Sequence, residues 1–557
     1  MFAGGLRSLA TLVLVISLVG ATPAASSANL LSGLTNTVSN TLDKVQSVLQ
    51  VEVLSAPNAN YRVIVKRHNG DTSADTGLLN LGGTKIENLP GDYFVGVLQG
   101  SNIDLLAKLT SVDYIMTDAL MQTTATRGQE DLTNISALKT IYPETVGATD
   151  LWDHGVTGTG VGVAVIDTGI AQVKDFSGPN DGQGRIVAQQ NFTDTSSTSD
   201  GYGHGTHIAG IIGGDSWWSN KSVQGKYVGT APDANLLNLK VANGTGQTYT
   251  SDVVLAFEWA IAHRAQYNIR VINLSMTSTV PESYHTSVLA AAAEHAWFNG
   301  ILVVVAAGNY GPNSMVFAPA DDPFVVTVGA TDSNGTVGPA DDWIAPWSSS
   351  GSSPDGVTKP DVVAPGRYIA STLAANSQFQ KEYPDRVVDQ NYVWMSGTSM
   401  STAVVSGVAA LIFQAHPNWT NDQVKWLLEQ TATPLNVDSV TEGAGEINAS
   451  AAVNYAGTPG FANQGQAINM NLVGPNGSTT YNNVVTVVVN VVTGLLRSVV
   501  RLVVGTVNSV FNTPWSGSAW SGSAWSGSAW SGSAWSGSAW SGSAWSGSAW
   551  SSGANIQ

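Results

Sequence analysis

The chain contains no cysteine. Disulfides, thiolate-bound zinc and a thiol nucleophile are thereby excluded, and stability must come from packing or bound ions. Charge is scarce too. Only 11% of residues are Asp, Glu, Lys or Arg, and acids outnumber bases, for a formal net charge of −17 and a pI near 4.7. That balance argues against nucleic acid as a partner, since phosphate binding needs clustered Lys and Arg. After Glu446 the only charged side chains are Arg497 and Arg501.

Long apolar runs are few. One covers 9–19, behind Arg7 and ahead of Ala21-Thr22-Pro23-Ala24-Ala25. It is too short for a membrane span and reads as an export signal over 1–28, which predicts a secreted protein. A second run, 484–504, is interrupted by Asn490, Gly494 and the two arginines. Strands or an interfacial helix suit it better than a spanning helix.

With 557 residues there is room for more than one domain. Residues 29–60 are polar and weakly amphipathic, a helix or spacer. Strand patterns at 61–66, 93–98 and 112–116, with a helical pattern at 101–109, predict a small α+β domain over 61–122. A polar linker over 123–131 follows, open to cleavage. Beyond it, continuous β-branched runs at 161–166, 234–241, 271–274, 301–306 and 324–328 alternate with helical patterns at 206–212, 251–265, 286–298, 399–415 and 421–430. Uninterrupted apolar strands are those buried on both faces. The fold class over 123–457 is therefore α/β, a mostly parallel central sheet with helices on both faces. A Val-rich segment, 458–514, leads to a tail, 515–557, of repeated Trp-Ser-Gly-Ser-Ala. Gly and Ser at that density build no core, so the tail reads as disordered, or as a multivalent tether whose Trp rings meet glycans or a cell surface.

Four stretches at strand ends or helix starts hold the chemistry. Val165-Ile166-Asp167-Thr168-Gly169 ends an apolar strand in a carboxylate, costly to bury unless used or capping a turn. Gly203-His204-Gly205-Thr206-His207 opens a helix; two His at this spacing also suit a metal, though no third ligand lies nearby. Ala306-Ala307-Gly308-Asn309 ends another strand with an amide, a turn former or an oxyanion donor. Gly397-Thr398-Ser399-Met400 sets a serine in the first turn of an apolar helix, where it is either a cap or an oxygen facing free N–H groups.

Asp, His and Ser in that order, each in its own glycine-rich context, resemble the subtilisin-like serine peptidase family. The resemblance covers about 129–457. It implies Asp167, His204 and Ser399 as catalytic triad, Asn309 as oxyanion donor, polypeptides as substrates and no required cofactor. It also implies substrate walls along Gly244-Thr245-Gly246-Gln247, with Gly244, Thr245 and Gly246 as contacts, and at Ser275, Met276 and Thr277. The family usually has glycines where Thr277 and Ser278 stand, so the primary pocket is expected to be narrowed or tilted. The 61–122 domain resembles the family's propeptide, an inhibitor removed by self-cleavage. The family often holds structural calcium, for which Asp175 is the candidate here. Two other classes stand against this reading. Asp-Thr-Gly is also the aspartic peptidase signature and occurs at Asp75 and Asp167. A catalytically silent surface-binding protein on a peptidase fold is the other.

Overall fold

Runs of β-branched residues buried on both faces should lie side by side in parallel, and a computed structural model of the chain has them so. It describes residues 44–125, 140–177, 184–217 and 223–472, and the backbone of 485–489 and 500–504. The predicted export signal, most of the linker and the Trp repeat fall outside the described residues. Contacts divide the chain into two units, one of 1–88 with 92–118 and the other of 119–557 with 89–91.

The smaller unit is a four-stranded sheet in the order Thr84–Leu89, Tyr93–Gln99, Asn60–Arg67, Val112–Thr117. The central strand is antiparallel to both neighbours, with Tyr61 opposite Leu98 and Ile64 opposite Met116. Val63, Val65, Phe94, Leu78 and Ile103 form its core, joined by Val45 and Leu49 from the stretch predicted as spacer. The helix Ser73–Asn80 replaces what reads locally as a polar loop, because Asp, Thr and Gly are poor helix formers. It brings Asp75 to Arg67 at 2.7 Å and Lys85 at 2.5 Å, so this Asp-Thr-Gly copy holds an ion-paired structural carboxylate. The aspartic peptidase reading loses its first carboxylate there.

The larger unit has an eight-stranded sheet. Its order runs Trp343–Ile344, Val326–Asp332, Leu302–Ala306, Ile269–Leu274, Gly162–Asp167, Asn235–Lys240, Ile186–Asn191, with Val362–Pro365 also beside Val326–Asp332. All pairings are parallel except that of Trp343–Ile344. The five predicted strands appear within two residues at their starts. Ile186–Asn191 and Val362–Pro365 escape prediction, the first because it is half-exposed and the second because it has four residues ending in proline. The helix Thr398–Ala415 is buried from Thr398 to Phe413, as its small and apolar composition demands. Beyond the sheet, Val485–Val489 pairs antiparallel with Val500–Val504, so strands form where a spanning helix was the alternative.

Lysines occupy part of this core. Lys425 Nζ donates to the carbonyls of Pro323 (2.7 Å) and Val325 (2.9 Å) and lies 3.1 Å from Asp361 Oδ1. Lys359 Nζ reaches Asp361 Oδ2 at 2.7 Å, an oxygen that also accepts the Thr327 N–H. Burial pushes the Asp361 carboxyl up, but the two ammonium charges outweigh it and hold it below the usual range. This cluster pins the turn that feeds strand Val326–Asp332. Removing one member strands the others, which costs about 3–5 kcal/mol. Lys425→Met, made with Ser399→Ala to suppress self-digestion, is expected to lose that much in denaturant unfolding. A loss under 1 kcal/mol would show the cluster to be incidental.

Candidate active site

Asp167 closes strand Gly162–Asp167 and His204 opens helix His204–Gly213, both fully buried. Their side chains meet through His204 Nδ1 and Asp167 Oδ1 at 2.8 Å. Such closeness requires Gly205, where a Cβ would strike the Gly169 carbonyl and crowd Asp167. The helix start is held by a residue the motif reading passed over. Asp200 Oδ1 accepts from Thr168 Oγ1 (2.8 Å) and the Gly203 N–H (2.7 Å). Its Oδ2 accepts from the Thr206 N–H (2.9 Å) and Oγ1 (2.7 Å). A carboxylate at a helix N-terminus satisfies the orphan amides and the dipole together. His204 Nε2, on the far side of the ring, has no hydrogen-bond partner.

His207 is a structural histidine. Its Nε2 lies 3.1 Å from the carbonyls of both Ile369 and Val393, and burial, with the His204 charge beside it, lowers its pKa to about 3. The His204/His207 metal pair is not formed, and no cluster of three His, Asp or Glu suited to a metal occurs among the described residues.

Asn309 and Ser399 come together through Thr398. The Asn309 carbonyl Oδ1 accepts from the Thr398 N–H (3.0 Å) and Oγ1 (3.1 Å), which leaves the amide Nδ2 pointing the other way. There it donates to the carbonyl of Thr124. Thr398 is thus the group that aims the amide, a role its place in the motif does not announce. Gly397 is glycine because a Cβ would strike that same Thr124 carbonyl.

Thr124 directly follows the strand Leu120–Thr123, which belongs to the larger unit although the sequence places the end of the small domain at 122. This strand lies antiparallel between two edges. On one side Met276, Thr277 and Ser278 oppose Thr123, Gln122 and Met121. On the other, Gln247–Tyr249 opposes Leu120–Gln122. The first edge runs through the segment named as a substrate wall, Ser275 to Thr277. On the second, pairing begins at Gln247, the last residue of the named segment, because Asn243 Oδ1 accepts the Thr245 and Gln247 N–H groups and folds Gly244, Thr245 and Gly246 into a turn. Ser275 extends the first edge: its carbonyl accepts the Thr124 N–H at 3.2 Å. Ser399 Oγ donates to the same carbonyl at 3.1 Å and lies 2.6 Å from Thr124 Oγ1. Thr277 is fully buried and its hydroxyl has no partner.

Asp175, the residue named as a calcium candidate, accepts hydrogen bonds from Thr372 Oγ1 and from the Tyr392 hydroxyl, the latter at 3.1 Å. Burial, aided by the Asp215 charge and opposed by the hydroxyl donors, raises its pKa to about 6. The native state therefore favours the protonated acid. Its stabilising contribution is complete below the ordinary carboxylate pKa and is lost as pH rises through 6, about 3 kcal/mol for a two-unit shift. Asp175→Asn is expected to match the parent in thermal unfolding near pH 4 and exceed it at pH 7. Lower stability at pH 7, restored in the parent by added calcium, would instead make Asp175 a cation ligand.

A family model described as the subtilase family matches residues 158–451. Serine protease AprX of Bacillus subtilis (strain 168) is 40% identical over 309 residues, 54% of this chain and 67% of that one. Subtilisin Savinase of Lederbergia lenta is 35% identical over 301 residues, 54% of this chain and 93% of its own. Among solved structures, fervidolysin from Fervidobacterium pennivorans, a keratinolytic enzyme related to subtilisin, superposes with a TM-score of 0.54 at 25% identity. That match covers 73% of this chain and 62% of fervidolysin. With more than half of its length matched by the family model, and with the sheet and strand-end residues described above, the chain belongs to the subtilase family of serine endopeptidases.

Proposed function

We propose that this chain is a secreted serine endopeptidase made as a zymogen, and that its first substrate is its own Thr124–Ala125 bond. One observation carries the reading: the Thr124 carbonyl accepts from the Asn309 amide and the Thr124 hydroxyl touches Ser399 Oγ, just past the end of a strand paired on both edges. An extended peptide added between two edges is the mode in which backbone hydrogen bonds align a substrate. Secretion rests on Arg7 and the apolar run behind it.

In the proposed reaction Asp167 accepts a hydrogen bond from His204 Nδ1–H and so holds the tautomer in which the Nε2 lone pair is free. Ser399 Oγ turns from the Ser275 carbonyl to Nε2, gives up its proton and bonds to the Thr124 carbonyl carbon. The oxyanion is held by Asn309 Nδ2 and by amides at the start of helix Thr398–Ala415. Collapse breaks the bond to Ala125, whose nitrogen takes the proton from Nε2, and leaves a Thr124 ester on Ser399. Water, deprotonated by Nε2, then frees Thr124 as a carboxylate and restores the serine. The segment ending at Thr124 leaves as the propeptide, and other polypeptides take its place.

Mass spectrometry of the secreted protein is expected to find a released fragment ending in Thr124, with Ser399→Ala staying uncut and unlabelled by a serine-reactive phosphonate. A fragment ending elsewhere, or self-cutting by purified Ser399→Ala, would overturn the reading. Asn309→Leu is expected to lower kcat by about 10²–10³ with little change in KM, the loss for one oxyanion donor. An unchanged kcat would remove Asn309 from that role.

A further inference from the structure

Backbone pairing along Leu120–Thr123 is open to any sequence, so selectivity must come from side chains. Gln122 Nε2 donates to the Tyr310 hydroxyl at 2.9 Å. Both partners are placed by independent contacts. The Gln122 backbone is set opposite Thr277 on one side and Gln247 on the other. Tyr310 follows Asn309 directly; its N–H donates to Ser349 Oγ at 3.0 Å, and its ring lies 4.9 Å from that of Phe317. The ring also covers Gly308, where a Cβ would meet Tyr310 Cδ2 at 3.2 Å. At 44% exposure Tyr310 is poorly placed as a core residue. It stands on the cleft rim with its hydroxyl offered to whatever occupies the Gln122 position.

We infer that Tyr310 is a specificity residue that selects a hydrogen-bonding side chain, an amide above all, two places ahead of the residue whose carbonyl is attacked. The inference rests on the proposed activity and names part of its substrate class. The phenol hydroxyl both donates and accepts, so it suits the amide of glutamine, which does the same. An unbranched apolar side chain of equal reach, such as methionine, would displace water from the hydroxyl and return no hydrogen bond. One neutral hydrogen bond at a half-open site corresponds to a preference of about 3- to 10-fold in kcat/KM.

The test uses enzyme matured from the full chain and two internally quenched peptides, one built on Met-Gln-Thr-Thr-Ala and the other on Met-Met-Thr-Thr-Ala. The unaltered enzyme is expected to cut the glutamine peptide about 3- to 10-fold better, and Tyr310→Phe, which keeps the ring on Phe317, to bring that ratio to about one. A ratio near one in the unaltered enzyme, or an undiminished ratio in Tyr310→Phe, would overturn the inference and leave the peptidase reading standing. The first comparison is made in the peptides alone and needs no variant to fold. Failure to cut either peptide, with no phosphonate labelling of Ser399, would bring down the activity itself, and the inference with it.

Discussion

The hydrogen bond between Asp167 and His204 is the constraint to which the surrounding chain conforms. A carboxylate without solvent exposure is costly unless its charge is answered by donors. Here Oδ1 accepts from the imidazole and from the Thr168 N–H at 2.7 Å. To bring the ring that close, the helix start must approach the strand end, which only glycine at 205 permits. The helix start must then be satisfied without solvent, and Asp200 does that with four hydrogen bonds to Thr168, Gly203 and Thr206. Gly205 N–H in turn donates to Thr168 Oγ1 at 2.8 Å. A short network thus fixes one ring so that one nitrogen meets an acid and the other is left without a hydrogen-bond partner.

A parallel sheet makes the rest of the site economical. All strands in such a sheet end on one side, so residues distant in sequence emerge together there. Asp167 and Asn309 each stand at or just past the end of a strand, and Ser275 follows another. Helix Thr398–Ala415 supplies the serine from its first turn, with Thr398 locking the neighbouring amide. Aim is what matters for an oxyanion donor: an amide free to flip would offer its oxygen half of the time and repel the developing charge.

Much of this was legible in the chain, and what was not shares one physical cause. Asp167, His204, Asn309 and Ser399 declare themselves because close backbone approach demands glycine beside them, and glycine shows in a sequence. The long buried strands declare themselves by β-branched runs. Asp200 and Thr398 do not, since a side chain that orients another is chosen by its tertiary neighbours and leaves no local pattern. Of the edge segment read at Gly244-Thr245-Gly246-Gln247 only Gln247 pairs, because a turn fixed by the Asn243 side chain looks, locally, like extended glycine-rich chain. Helix Ser73–Asn80 was missed for the same reason, as Leu78 and Ala74 in the core of the smaller unit override weak propensity. His207 was ambiguous until its two carbonyl neighbours from distant strands came into view.

The position of Ser399 Oγ follows from what shares the cleft with it. With Thr124 in place, the serine hydroxyl has two oxygens near it, the Ser275 carbonyl and Thr124 Oγ1, while His204 Nε2 has none. The carbonyl of Thr124 is already on the donor that would stabilise its oxyanion. In the proposed reaction Ser399 Oγ must leave both contacts, by rotation of its side chain, before it can give its proton to Nε2. A rotation between staggered wells is fast compared with peptide hydrolysis. Under the proposed self-cleavage, the hydroxyl contacts of Ser399 therefore bias a pre-equilibrium ahead of the bond chemistry at Thr124.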